Sequence, residues 1–199
     1  WCSAQADLAP YRALCLVRRA EILQLHGAWP DALEQAQRAR ERLSNPKPKP
    51  AVGAAFYRMA ELHRLRGEFA DAEAAYRQAR LWERSPQPGF ALLRLAQGQV
   101  EAAQAAIRQV ADEIQDAMLR PPVLDAYVEI MIAAHDVAAA RGAAEELCQI
   151  AGRLNAPLLD AVSAWAMGAV LIAEQNARAA APVLRKAFTA WQELDAPYE

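Results

Sequence analysis

A short pattern recurs along this chain at intervals that match the length of two packed helices. Its clearest copy is Gly67-Glu68-Phe69-Ala70-Asp71-Ala72, followed by Tyr76 and Ala79. Related copies begin at Gly27, Gly98, His135 and Gln175, so that successive copies lie 31 to 40 residues apart. Self-similarity at such a period predicts a solenoid of helical hairpins, because a single hairpin cannot bury its apolar face alone and must stack on its neighbours.

Each turn residue lies between two stretches with helical periodicity. The residues that follow one face of the helix before Gly67 are Phe56, Met59, Ala60, His63 and Leu65. Those that follow one face of the helix after it are Phe69, Ala72, Tyr76 and Ala79. A glycine between the helices suits a left-handed C-cap, and Asp71 adds negative charge to the first turn of the second helix. The pattern therefore predicts two antiparallel helices joined by a tight turn.

The spacing predicts an all-α chain with five hairpins in one repeat domain that spans residues 1–199. We expect the hairpins at about 11–43, 52–83, 88–117, 122–153 and 157–194. The paired helices within them are expected at 11–25 and 30–43, 52–65 and 70–83, 88–96 and 100–117, 122–134 and 137–153, and 157–174 and 177–194. The proline-rich stretch 44–50 is expected to be an extended linker, since alternating prolines cannot continue a helix.

A second recurrence marks the entries to the first helix of a hairpin. Leu154-Asn155-Ala156-Pro157 and Leu194-Asp195-Ala196-Pro197 lie 40 residues apart, and Leu8-Ala9-Pro10-Tyr11 resembles both. Pro197 would then open a sixth hairpin, and we expect the chain to be a fragment of a longer protein.

Composition and charge exclude several classes of function. The net charge of −2 and the pI near 6.0 show no excess of positive charge of the kind that direct contact with nucleic acid requires. The longest nearly apolar run, 161–173, is shorter than the roughly 20 residues that a membrane span needs. The three cysteines, Cys2, Cys15 and Cys148, show no CxxC spacing, so we expect neither disulfides nor a cysteine zinc site. Idle thiols are typical of a protein in the reducing cytoplasm.

The sequence lacks the common catalytic and phosphate-binding motifs. It contains no phosphate-binding glycine loop, no HExxH and no GxSxG. The three histidines are far apart and each fits a repeat position, while adjacent carboxylates such as Glu145 and Glu146 point in different directions on a helix. We therefore expect no catalytic residue, no metal site and no cofactor, and a protein that is not an enzyme.

The second hairpin resembles the tetratricopeptide repeat (TPR). That family places aromatic, leucine, small and aromatic residues on its first helix, and alanine, aromatic and alanine residues on its second. The matching residues here are Phe56, Met59, Ala60, Gly67, Phe69, Ala72, Tyr76 and Ala79, with His63 in place of the usual tyrosine. The first hairpin matches moderately and the last three are degenerate. The resemblance implies a right-handed superhelical solenoid in which the first helix of each hairpin lines a concave groove.

The groove positions of the family, transferred to the matching positions on the first helix of each hairpin here, give the candidate binding residues. They are Glu21, Tyr57, Glu61, Arg64, Asp125, Glu129 and Trp165, with Val17, Gln24, Ile132, Ala169 and Ile172 beside them. Tyr57, Arg64 and Trp165 are the strongest candidates, because aromatic and arginine side chains are typical binding anchors. The alternative is that they are ordinary surface or packing residues. The carboxylate clamp known in the family does not map here, since Tyr57 and Glu61 stand where it needs basic and amide groups.

Four stretches are also similar to the helical-repeat region of actinobacterial LuxR-type transcriptional regulators. They are 15–33, 60–76, 90–96 and 191–199. The resemblance implies a region that binds a protein, a peptide or a small-molecule effector in its groove and controls a DNA-binding helix-turn-helix located elsewhere in the parent protein. The alternative is a free-standing scaffold that assembles protein partners, and the residues after Glu199 would distinguish the two. A homodimer is compatible with either.

Overall fold

The computed structural model describes residues 12–42 and 50–197, and within these ranges the chain forms ten α-helices and no strand. The helices are α1 (Arg12–Leu25), α2 (Trp29–Arg42), α3 (Pro50–Leu65), α4 (Phe69–Leu81), α5 (Gly89–Ala96), α6 (Val100–Glu113), α7 (Pro121–Ala133), α8 (Val137–Leu154), α9 (Pro157–Ala173) and α10 (Ala177–Glu193). The all-α class and the order of paired helices predicted from the repeat are confirmed.

A single left-handed residue forms each of the five predicted turns. The φ angles are 74° at Gly27, 76° at Gly67, 76° at Gly98, 60° at His135 and 61° at Gln175. At the second turn the amide of Gly67 donates to the carbonyl of Arg64 at 3.0 Å, and the amide of Glu68 donates to that of His63 at 2.9 Å. This is the Schellman arrangement, which satisfies carbonyls at the end of a helix. His135 and Gln175 therefore do occupy the glycine position.

The second recurrence also corresponds to equivalent turns. Asn155, between α8 and α9, has φ 47°, and Asp195, after α10, has φ 51°. Pro157 then begins α9, where the missing amide of a proline costs no hydrogen bond. Tyr198 and Glu199, on which the predicted sixth hairpin rests, lie outside the described residues, as do 8–11, 44–49 and Cys2.

The helices group into two compact units. The N-terminal unit extends to Leu93, and the C-terminal unit runs from Arg94 to Pro197, so that the division falls within α5. In the N-terminal unit α1 packs on α2, α3 packs on α4, and α3 also contacts both helices of the preceding hairpin. In the C-terminal unit α7 packs on α6 and α8, while α9 packs on α7, α8 and α10. In each unit, then, one first helix, α3 or α9, packs on both helices of the hairpin before it.

Alanine dominates the buried faces and lets the helices approach closely. Ala20, Ala36, Ala60, Ala72 and Ala79 are fully buried in the N-terminal unit. Larger side chains fill the remaining space; among them are Leu62, Tyr76 and Leu93 in the N-terminal unit and Ile107, Ile130, Met131, Leu147 and Val170 in the C-terminal unit. In the described part of the chain no helix combines the length and the apolar character needed to cross a bilayer.

Helix α6 ends earlier than the sequence predicts, at Glu113 instead of near residue 117. Ile114 adopts an extended backbone conformation. The guanidinium of Arg120 donates to the carbonyls of Ala111 at 2.7 Å and Ile114 at 2.6 Å, and it pairs with the Glu146 carboxylate on α8. A charged side chain thus satisfies carbonyls that another helical turn would have used.

Helix α3 begins slightly before the predicted boundary. The expectation that 44–50 is not helical is wrong at Pro50, which is the first residue of α3. The first turn of a helix tolerates proline, because its amide would be unpaired there anyway.

Substitution of alanine for either of two glycines in the C-terminal unit, Gly98 or Gly142, tests the role of the left-handed turn. A Cβ at Gly98 or at Gly142 would meet nothing within 4 Å, but only Gly98 has a positive φ. Gly98→Ala should therefore lower the free energy of unfolding by about 1 kcal/mol. Gly142→Ala, in the middle of α8, should raise it by about 0.5–1 kcal/mol. Chemical denaturation of both variants measures these changes, and shifts of the same sign would contradict the explanation.

Candidate functional site

The seven predicted groove residues lie in the two units. Glu21 on α1 and Tyr57, Glu61 and Arg64 on α3 belong to the N-terminal unit. Asp125 and Glu129 on α7 and Trp165 on α9 belong to the C-terminal unit. As predicted, all seven are carried by the first helix of a hairpin, but their surroundings differ greatly.

Glu21 links the first two hairpins instead of standing alone. Its carboxylate accepts hydrogen bonds from Arg18 at 2.7 Å and from Arg58 on α3 at 2.9 Å. Arg58 also donates to the side-chain carbonyl of Gln24 at 2.9 Å. Burial acts to raise the pKa of Glu21, but the charges and hydrogen bonds of Arg58 and Arg18 outweigh it and lower that pKa. The ionised carboxylate therefore holds α1 against α3.

Glu61 is the centre of a polar cluster that we call the Glu61 cluster, formed with Tyr57, Arg64, Tyr76 and Gly89. Only 8% of Glu61 is exposed. One carboxylate oxygen accepts a hydrogen bond from the hydroxyl of Tyr76, and the other accepts one from Arg64 at 3.0 Å. A buried charge needs such partners, because losing its hydration is costly.

Gly89, the first residue of α5, completes the cluster. A Cβ at this position would overlap the Glu61 carboxylate and the Tyr76 hydroxyl, so the close approach of α5 requires a glycine. The amide of Gly89 donates to the hydroxyl of Tyr57 at 3.2 Å. The cluster therefore joins α3, α4 and the start of α5 through polar contacts.

Aromatic contacts surround the same cluster. The ring of Tyr76 meets those of Tyr57 and Phe90 edge to face, at centroid distances of 5.7 and 5.8 Å. The guanidinium of Arg84 lies 5.1 Å from the centre of the Tyr57 ring. Tyr57, Glu61 and Arg64 are thus brought together, as the register predicts, but their polar atoms are directed at other residues of the protein. Whether they also contact a partner stays a prediction.

The predicted residues of the C-terminal unit line a cavity of about 430 Å³, which we call the α7–α9 cavity. Asp125, Glu129 and Trp165 all line it, with Val128, Ile132, Val162, Ala166, Ala169 and Trp191. Half of Trp165 is exposed, so its indole is accessible to a partner. Asp125 and Glu129 each take part in an interaction with the rest of the chain. Carboxylates, indoles and aliphatic side chains therefore meet at one concave surface.

A second cavity, of about 450 Å³, lies along the last helix and is called the α10 cavity here. It is lined by Trp165, Leu184, Phe188, Trp191, Gln192, Asp195, Ala196 and Pro197. Phe188 is 60% exposed. The contribution of α10 is not among the residues predicted from the sequence, although Leu184, Phe188 and Trp191 follow the i, i+4, i+7 spacing of one helical face.

One group of side chains in the described residues has the donor types that bind metal ions. His63, Glu68 and Asp71, around the turn between α3 and α4, bring one ligand atom each within 4.8 Å of the others. The thiols of Cys15 and Cys148 are partly buried. Burial raises the pKa of the Cys148 thiol, which keeps it protonated and inert at neutral pH.

The chain matches no family model and no curated protein. A solved structure to which it is similar is that of a kinesin light chain-type protein from Podosopora anserina, described as having nearly identical TPR-like repeats. The two share 16% sequence identity over 92% of this chain and 97% of the other, with a TM-score of 0.52. Likeness at this level of identity shows the fold, so the chain has a TPR-type helical repeat architecture.

The Glu61 cluster predicts a loss of stability in alkali. Burial and the nearby Glu61 charge raise the pKa of Tyr57 and that of Tyr76. Above pH ~10 the unfolded chain releases these phenol protons while the folded chain keeps them, so the free energy of unfolding should fall by about 1.4 kcal/mol per pH unit for each tyrosine.

Tyr76→Phe separates this effect from simple packing. At pH 7 it should lower the free energy of unfolding by about 1–3 kcal/mol, because Glu61 loses a hydrogen-bond donor. Above pH 10 its stability should decline less steeply with pH than that of the wild type. Denaturant titrations at several pH values measure both effects, with Tyr127→Phe, outside the cluster, as the control. Equal slopes for wild type and Tyr76→Phe would contradict the assignment.

Proposed function

We propose that the chain is a non-catalytic binding module whose C-terminal unit holds a side chain of a protein or peptide partner in the α7–α9 cavity. The observation that carries the proposal is that Asp125, Glu129 and Trp165, selected from the sequence as groove residues, line one cavity. Concave, mostly apolar surfaces with a few placed polar groups are the usual form of a binding site. A small-molecule effector is the alternative occupant.

The lining of the cavity indicates which residues of a partner would fit. Trp165 and Trp191 supply indole rings, and Asp125 and Glu129 supply the acidic groups. Indoles and carboxylates together favour a cationic or aromatic side chain, through cation–π attraction and charge complementarity. We therefore expect peptides that combine a lysine or arginine with a neighbouring apolar residue.

Selection of random peptides displayed on phage against the chain tests the proposal. Enriched peptides should carry the basic–apolar combination, and Trp165→Ala should weaken their affinity by about tenfold or more, as expected for an anchor residue. Leu158→Ala is the matched control, since Leu158 is also on α9 and 44% exposed but lines neither cavity. Peptides that bind both variants equally well, or no enrichment at all, would overturn the proposal.

We further propose that this module is the sensor or partner-docking region of a LuxR-type transcriptional regulator. The support is the similarity of 15–33, 60–76, 90–96 and 191–199 to that class of regulator. An occupant that binds two arrangements of the module with different affinity would shift their populations, and an attached DNA-binding domain would respond.

The regulator and scaffold proposals make different predictions. In a regulator, a helix-turn-helix should be encoded beyond Glu199, and deleting this region should abolish the response to inducer while DNA binding persists. A reporter assay together with a DNA-binding assay measures both properties. Regulation that survives the deletion contradicts the sensor role. A gene that encodes a polar capping helix and then stops favours the scaffold.

A further inference from the structure

We propose that the turn between α3 and α4 binds a divalent transition-metal ion of the zinc class through His63, Glu68 and Asp71. These residues bring one imidazole nitrogen and two carboxylate oxygens within 4.8 Å of one another. Imidazole and carboxylate are the donors that such ions take in proteins, and three protein ligands leave room for water. The site lies in the N-terminal unit and does not depend on the proposed partner binding.

The distances suit an ion after small side-chain rotations. His63 Nδ1 and Glu68 Oε2 are 2.6 Å apart and share a hydrogen bond. In a tetrahedral site with bonds of about 2.0–2.1 Å, ligand atoms are roughly 3.3 Å apart. The ion would therefore replace the shared proton and increase the separation of these two atoms by less than an ångström. Asp71 would supply the third ligand.

The turn holds the three donors on one rigid piece of backbone. Gly67 adopts the left-handed conformation, and the amide of Glu68 donates to the carbonyl of His63 at 2.9 Å. Glu68 directly precedes α4, and Asp71 lies in the first turn of that helix, three residues further on. Residues at that separation lie on the same face of a helix. Little conformational freedom would then be lost when an ion binds.

A neighbouring arginine orients one of the ligands. The guanidinium of Arg66 forms an ion pair with Glu68 Oε1 at 2.7 Å, while Glu68 Oε2 faces His63. A polar contact of this kind from outside the coordination sphere restrains the direction of a ligating carboxylate. The positive charge of Arg66 and the amino end of α4 both oppose a cation, so we expect micromolar rather than nanomolar affinity.

Comparison of the five hairpins shows that the repeat does not require these donors. The position of His63 is taken by Leu23, Arg94, Met131 and Leu171 in the other hairpins. The position of Glu68 is taken by Ala28, Gln99, Asp136 and Asn176, and that of Asp71 by Asp31, Ala102, Ala139 and Ala179. The second hairpin alone has all three donors. His63 also introduces an imidazole, 16% exposed, where three other hairpins have an apolar side chain.

Titration of the metal-free chain with Co²⁺, followed by its visible absorption, tests the proposal, and calorimetry with Zn²⁺ gives the affinity. One ion should bind per chain, and Zn²⁺ should raise the melting temperature, since a ligand of the folded state stabilises it. His63→Leu, which installs the residue of the first and fifth hairpins, should weaken binding by at least about tenfold. Asp71→Asn, at an exposed position, should weaken it without changing the fold.

His135→Gln is the matched control, because His135 is exposed at another turn and the fifth hairpin has glutamine there. It should bind Co²⁺ as the wild type does. Circular dichroism of each variant shows whether the helices persist. Wild-type affinity in both His63→Leu and Asp71→Asn, or a dissociation constant of the wild type above about 1 mM, would overturn the proposal.

Discussion

The rest of the structure depends on the left-handed residue at each hairpin turn. Its positive φ reverses the chain within three residues and brings the apolar faces of two short helices together. A hairpin of this size buries little surface by itself, so the next hairpin must cover it, as α3 covers α1 and α2 and as α9 covers α7 and α8. Alanine at the contact positions allows the close approach, which leaves the larger side chains to determine what each surface can bind.

Much of the fold could be predicted from the sequence because its determinants are local. The turn position is set by one residue and its neighbours, so the sequence predicts the turns at His135 and Gln175 even without a glycine. The predicted end of α6, near residue 117, is wrong for the opposite reason. It depends on Arg120, which reaches back to the carbonyls of Ala111 and Ile114 and across to Glu146 on another helix. Local periodicity carries no information about such contacts.

The candidate site shows the same limit. Glu21, Glu61 and Glu129 occupy the same register position, six residues before a turn, yet each has a different environment. Arg58 pairs with Glu21, Tyr76 and Arg64 enclose Glu61, and Glu129 lines the α7–α9 cavity. The register identifies the helix face that these residues share, but the neighbouring helix decides whether a carboxylate links two hairpins, stabilises a buried cluster or remains at a concave surface.

Residues that the repeat does not need are therefore the most informative about function. Trp165 stands where the first hairpin has Val17, and it exposes half of a large indole. His63 stands where three of the other hairpins have leucine or methionine, and its imidazole then requires a polar partner, which Glu68 provides. Trp165 and His63 both depart from the small or apolar residues that some other hairpins bury at these positions. Because a stacked hairpin is held by its turn and its small buried residues, it tolerates such departures, and these positions are free to acquire a binding role.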